Sequence, residues 1–168
     1  MSGAPFRIAL LDSRHDRSTF SSGSAPLDRY LRAQVNQDVR RRIAACFVAL
    51  TDEDRIAGYY TLASASLLLT DLPPATVKKL PRYPTVPTVR MGRLAVDRSF
   101  KGMGLGAALL VNALERAARS EIASYALMVD AKDEEAAAFY RHHGFLALPE
   151  APRTLFLPLA TVSAVRGK

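Results

Sequence analysis

A chain of 168 residues, 49% of them apolar and 23% charged, is long enough for one domain with a buried core and too apolar to be disordered. Its single cysteine excludes an intrachain disulfide or a cysteine-rich metal site, and His15, His142 and His143 lack metal-ligand spacing. No apolar run approaches the roughly 20 residues of a membrane-crossing helix, so the expectation is one soluble, cytoplasmic domain over 1–168, with no metal and no membrane partner.

The pattern predicts a short strand over Phe6–Leu11 and a polar loop over Ser13–Ser24. Ser24 can cap a helix from about Pro26 to Arg42, with Leu27, Tyr30, Leu31 and Val35 on its inner face. Ala45–Leu50 and Ile56–Leu69, around the polar turn Thr51–Arg55, read as an antiparallel hairpin. One or two helical turns over Ala75–Leu80 lead into an extended, irregular passage imposed by Pro81, Pro84 and Pro87, and then into a strand over Val89–Val96. A glycine loop and a helix over about Leu105–Ser120 follow. Tyr125–Ala131 is a compact apolar strand, and Asp133 or Lys132 opens a helix that Gly144 stops after His143. A last strand covers Arg153–Leu159. Strand, glycine loop, helix, strand describes a crossover unit, so Val89–Val96 and Tyr125–Ala131 are expected to be parallel, with the ligand site at their carboxyl ends.

The net charge of +7 is uneven: from Leu72 to Val96 there is no acidic residue, while Lys78, Lys79, Arg82, Arg90 and Arg93 fall there. Arg40, Arg41 and Arg42 form a second cluster. Such density suits a polyanion, and it equally suits a solvated face or an acidic peptide.

The strongest local signal is Lys101-Gly102-Met103-Gly104-Leu105-Gly106-Ala107, where a strand hands over to a helix. Alternate glycines let backbone N–H groups approach a ligand, and with the helix amino terminus they make a donor concavity for an anion such as a pyrophosphate. A tight turn that binds nothing would need fewer glycines and no adjacent lysine. Further along, Ala136, Phe139, Tyr140 and His143 share one helical face, where Tyr140 is either a core aromatic or a proton donor.

These two segments resemble the GNAT acetyltransferase superfamily. Its cofactor motif, Arg/Gln-x-x-Gly-x-Gly/Ala, is met by Lys101–Gly106 with lysine in the first position, and Ala-x-x-Phe-Tyr-x-x-x-Gly-Phe is met by Ala136–Phe145. The resemblance implies an α/β domain whose mixed central sheet is splayed between two parallel strands and flanked by helices. It implies acetyl-CoA as co-substrate, with Leu94, Ala95 and Val96 pairing with the pantetheine arm. Amides from Met103 to Ala107 then hold the pyrophosphate, and Tyr140 serves as acid for the departing thiolate.

A closer resemblance, over nearly the whole chain, is to the GNAT toxins of bacterial toxin–antitoxin pairs. It is carried by Phe20–Gly23, Leu27–Leu31, Gln37–Arg42, Gly58–Leu62, Lys79–Pro84 and Gly92–Asp97. It implies acetylation of the α-amine of the amino acid on charged tRNA, a block of translation, a homodimer, and a ribbon-helix-helix antitoxin through which DNA is met only indirectly. Lys78, Lys79, Arg82, Arg90 and Arg93 are then the residues expected to meet tRNA. The alternatives are a free small-molecule amine or a protein amino terminus as acceptor, and a silent binding module paired with a DNA-binding repressor. An α-amine, with pKa about 7.7 to 8.0 against about 10.4 for lysine, needs less help from a base. No carboxylate is evident on Val89–Val96, which leaves Asp97, His142 or a chain of waters for that role.

Overall fold

The computed structural model describes residues 6–166, the side chains of 163–166 aside, so residues 1–5 and 167–168 of the expected domain lie outside the described residues. Its internal contacts divide the chain into two compact units, Met1–Ala63 with Gly92–Ala113 and Ser64–Met91 with Leu114–Lys168.

In the first unit, strands β1 (Arg7–Leu10), β2 (Ala45–Leu50) and the first half of β3 (Ile56–Leu68) form antiparallel ladders in the order β1-β2-β3. The β2–β3 hairpin turns through Asp54 with φ 63°, whose amide donates to the Thr51 carbonyl at 3.0 Å. Strands this apolar have one place to go: Val48, Leu50, Ile56 and Tyr59 are all at most 1% exposed, packed with Leu31 and Val35.

The single helix expected over Pro26–Arg42 is interrupted. Helix α1 (Ala25–Arg29) passes through one π turn (Tyr30–Gln34) into α2 (Val35–Arg40). The cause is a competitor for a carbonyl. The Val35 amide reaches back to Tyr30 rather than Leu31, and the Leu31 carbonyl accepts from the Arg17 guanidinium at 2.9 Å instead. Tyr30, Leu31 and Val35 all stay in the core across this turn, on the inner face that the helical spacing predicts. Ser24 holds the cap position, but its side chain caps nothing; the buried Asp28 binds the Ser22 amide and hydroxyl.

In the second unit the strand order is β4-β5-β7-β6. The first half of β4 (Thr85–Val96) runs parallel to β5 (Ala126–Asp130), from Thr88↔Ala126 to Met91↔Val129, as the crossover reading requires. Strand β7 (Ala151–Pro158) is antiparallel to β5 and to β6 (Leu146–Leu148), so the sheet is mixed. Helix α3 is the single turn Pro74–Val77, and α4 (Leu105–Arg119) and α5 (Glu134–His142) lie as the glycine punctuation predicts.

Two expectations are corrected and one element is new. Strand β4 starts at Thr85, before Pro87, because the Pro87 carbonyl accepts from Tyr125 at 2.8 Å and the missing N–H leaves that bond intact. The final strand begins at Ala151 and has β6 as a hairpin partner across Pro149 and Glu150; three residues are too few for a period to show. A last helix, α6 (Leu159–Arg166), follows β7 and is not among the expected elements.

Candidate functional site

The glycine bend lies in the first unit, between the end of β4 and the start of α4. Gly102 and Gly104 have φ of +82° and +79°, the left-handed region in which a side chain is strained, and a Cβ on either would meet no atom within 4 Å. What glycine supplies here is therefore backbone conformation, with the space in front of the bend left open. Met103 is 56% exposed at its tip, whereas Leu105 is buried and roots the bend in the core.

Helix α4 begins at Leu105, and its first intrahelical bond runs from the Ala108 amide to the Gly104 carbonyl at 3.1 Å. The amides of Leu105, Gly106 and Ala107 precede it, and helix geometry gives such first-turn donors no carbonyl of their own. Fifteen residues of aligned peptide dipoles add about half a positive charge at that end. Donors, field and open space fit a pyrophosphate.

Lys101 has a protein partner beside the bend. Its ammonium donates to the Ser22 carbonyl at 2.8 Å, tying the bend to the Phe20–Gly23 loop. Asp97, 2% exposed, completes the tie: its carboxylate accepts from the Ser21 amide at 2.9 Å and the Ser99 amide at 2.8 Å, and Arg55 stands at 3.5 Å. The Arg98 amide returns a bond to the Ser21 carbonyl at 2.8 Å. A carboxylate so occupied is an anchor, and this removes it from the candidates for general base. Sequence reasoning missed the latch; the signal was Ser21-Ser22-Gly23, small residues that leave backbone groups accessible to distant side chains.

A second missed position is Gly58. A Cβ there would sit 2.9 Å from Leu109 Cδ1 and 3.0 Å from the Ala95 carbonyl oxygen. Its absence lets the β3 backbone approach the strand segment Leu94–Val96, in which Ala95 is buried and Leu94 and Val96 are half-buried.

Tyr140 lies in the second unit, in the last turn of α5. The helix is capped by Asp133, whose side chain accepts from the Ala136 amide at 2.8 Å, and is stopped by Gly144 with φ +94°. The Tyr140 carbonyl takes the Phe145 amide at 3.1 Å, and its ring packs on Phe139 and Phe145 with centroids 5.3 and 5.5 Å away. The side chain is 7% exposed, and burial pushes the phenol pKa up to about 12. It stays protonated at neutral pH, as an acid must. His143 is held by its Nδ1 to the Phe139 carbonyl at 2.9 Å, and His142 is exposed at the end of the helix.

Of the basic residues, Lys78, Lys79 and Arg82 are exposed on the segment after α3. Arg90 is paired with Asp130, while Arg93, in the first unit, is half-buried with its guanidinium 3.5 Å over the Tyr30 ring. The structure thus separates the expected set into four exposed cations, of which Arg90 is ion-paired, and one half-buried and stacked. Cys46 is buried, and that pushes its thiol up to about 12, which makes it an inert core residue. Among the described residues no group of three or more His, Cys, Asp or Glu is placed to hold a metal ion, and no helix is long and apolar enough to cross a membrane.

Comparison with known proteins agrees with this geometry. The profile of the acetyltransferase (GNAT) family matches residues 9–145. The chain is 39% identical over 171 residues to a tRNA-acetylating toxin of Mycobacterium tuberculosis, covering 99% of each. Among solved structures, AtaT complexed with acetyl-methionyl-tRNAfMet matches with a TM-score of 0.89 at 30% identity, over 96% of this chain and 99% of that one. A mutant AtaT toxin bound to the C-terminus of the antitoxin AtaR and acetyl-CoA matches at 0.83 and 26%, over 98% of this chain and 100% of that one.

Proposed function

The chain belongs to the acetyltransferase (GNAT) family and is an acetyl-CoA-dependent N-acetyltransferase, and on that premise we propose that its acceptor is the α-amine of the amino acid on charged tRNA. The acetylated nitrogen is no longer a nucleophile for peptide-bond formation, so the activity blocks translation, as a toxin. The observation that carries this reading is the end-to-end likeness to a tRNA-acetylating toxin. The exposed Lys78, Lys79 and Arg82 support it, since phosphate contacts supply most of the affinity for RNA.

In this reading 1–168 acts as one catalytic domain. Acetyl-CoA supplies an activated acetyl thioester; Leu94, Ala95 and Val96 run along its arm, and the amides of Met103–Ala107 hold its pyrophosphate. Lys101 holds the bend in shape through Ser22. As the amine nitrogen bonds to the acetyl carbon and the carbon–sulfur bond breaks, Tyr140 gives its Oη proton to the sulfur, and the nitrogen loses a proton to solvent or to His142. Among the described residues no group bonds the Tyr140 hydroxyl, which leaves that proton available.

The same reading includes a ribbon-helix-helix antitoxin as neutralising partner, DNA met only through it, a homodimer and a cytoplasmic location. The test is incubation with labelled acetyl-CoA and total charged tRNA. The expected product is an N-acetyl amino acid, released when the aminoacyl ester is hydrolysed. Label confined to free amines or protein amino termini would replace the acceptor and keep the enzyme.

A further inference from the structure

The segment between α3 and β4 carries a feature that the charge alone does not describe. Among the described residues, which include all seven phenylalanines and six tyrosines, Tyr83 alone of these aromatics is exposed, at 68%. An aromatic ring in water forgoes the burial that the other rings gain, so its position needs a reason.

The ring is held out by a stiff support. Val77 and Leu80 pack against the core of the second unit, and the amides of Lys79 and Leu80 bond back to the carbonyls of Thr76 and Val77 at 3.0 and 3.1 Å. On the other side the Pro84 carbonyl accepts from Leu69 at 3.0 Å. Between these anchors Pro81 and Pro84 fix their own φ, and a residue before proline, as Tyr83 is, is confined to extended backbone. Little conformational freedom remains to be lost on binding.

The surroundings are cationic and unneutralised. Among the described residues no carboxylate pairs with Lys78, Lys79 or Arg82, in contrast to Arg90 with Asp130. One exposed ring interleaved with three exposed cations on a rigid segment is the chemistry of single-stranded nucleic acid binding, where bases stack on aromatics and phosphates meet lysine and arginine. A folded RNA stem offers no free base face, and an acidic peptide would use the cations but has no need of the ring.

We infer that Tyr83 is a stacking platform for an unpaired base of the RNA, with Lys78, Lys79 and Arg82 on the adjoining phosphates. This rests on the tRNA reading above and gives it a residue that prefers a single-stranded end to a stem.

The experiment compares wild type, Tyr83→Ala, Tyr83→Phe and Lys79→Ala for binding of deacylated tRNA, a short single-stranded RNA and a blunt RNA duplex across a salt series. Acetyl-CoA affinity and the thermal midpoint report that each variant is folded. Tyr83→Ala is expected to weaken tRNA and single-stranded RNA by about tenfold while leaving duplex affinity and the salt slope unchanged. Tyr83→Phe keeps the affinity, and Lys79→Ala weakens all three RNAs and lowers the salt slope by about one. A folded Tyr83→Ala that binds single-stranded RNA as tightly as wild type, or loses duplex and single strand alike, overturns the inference and leaves the tRNA reading standing. A wild type without affinity for tRNA overturns both.

Discussion

In the proposed mechanism the chemistry at Tyr140 depends on one hydroxyl in an apolar setting. Burial raises the phenol to about 12, so the protonated form prevails far above neutral pH. Tyr140→Phe removes only the oxygen, since the contacts with Phe139 and Phe145 are made by the ring. The expected result is a fall in kcat of about 10² to 10³-fold with the acetyl-CoA KM unchanged, read from steady-state kinetics. The sign of the pH dependence follows: the rate rises through about pH 8 as an α-amine loses its proton. The acid that donates stays in its working form, so Tyr140 adds no descending limb below about 12. A descending limb near neutral pH that disappears in Tyr140→Phe would contradict the pKa; full turnover by that variant would remove the acid role altogether.

Among the elements, the bend between β4 and α4 is maintained by groups far away in sequence. Lys101 reaches Ser22, Asp97 reaches Ser21, and Gly58 lets β3 approach Ala95 and Leu109. Gly58→Ala puts a methyl where 2.9 Å separates it from Leu109 Cδ1 and 3.0 Å from the Ala95 backbone oxygen. The leucine can turn away, but the carbonyl cannot without moving the strand. Overpacking of this kind costs about 2 kcal/mol, a drop in thermal midpoint of about 5 °C for a chain of this size. Acetyl-CoA affinity is expected to fall with it, because the displaced strand is the one assigned to the pantetheine arm. An unchanged midpoint by calorimetry would show that the approach is not needed.

These elements also show what could be read in advance. The glycine bend, helix α5 with its Asp133 and Gly144 ends, and the parallel pairing of β4 with β5 were legible because each rests on local rules of capping, glycine conformation and crossover handedness. The π turn was not, since it depends on Arg17 taking the Leu31 carbonyl from fourteen residues away. Lys101 and Asp97 were legible as polar residues beside the bend, and their partners were not, because a partner chosen by the fold leaves no mark in local spacing.

Across the whole molecule, the excess of +7 is concentrated where acidic residues are missing, and the proposed chemistry falls in two short segments, Lys101–Ala107 and the last turn of α5. Arg90 is ion-paired with Asp130 and Arg93 stacks on Tyr30, so the net charge overstates the unpaired basic surface on offer to RNA. Composition sets a field; only the structure shows which side chains are left to exert it. The claim on which the rest stands is that main-chain donors in the bend hold acetyl-CoA. It is tested most directly by following backbone amide resonances as acetyl-CoA is titrated into the protein. The account predicts that the largest shifts fall on Gly102 through Ala107, whereas saturable binding that leaves those amides unmoved and shifts others would contradict it.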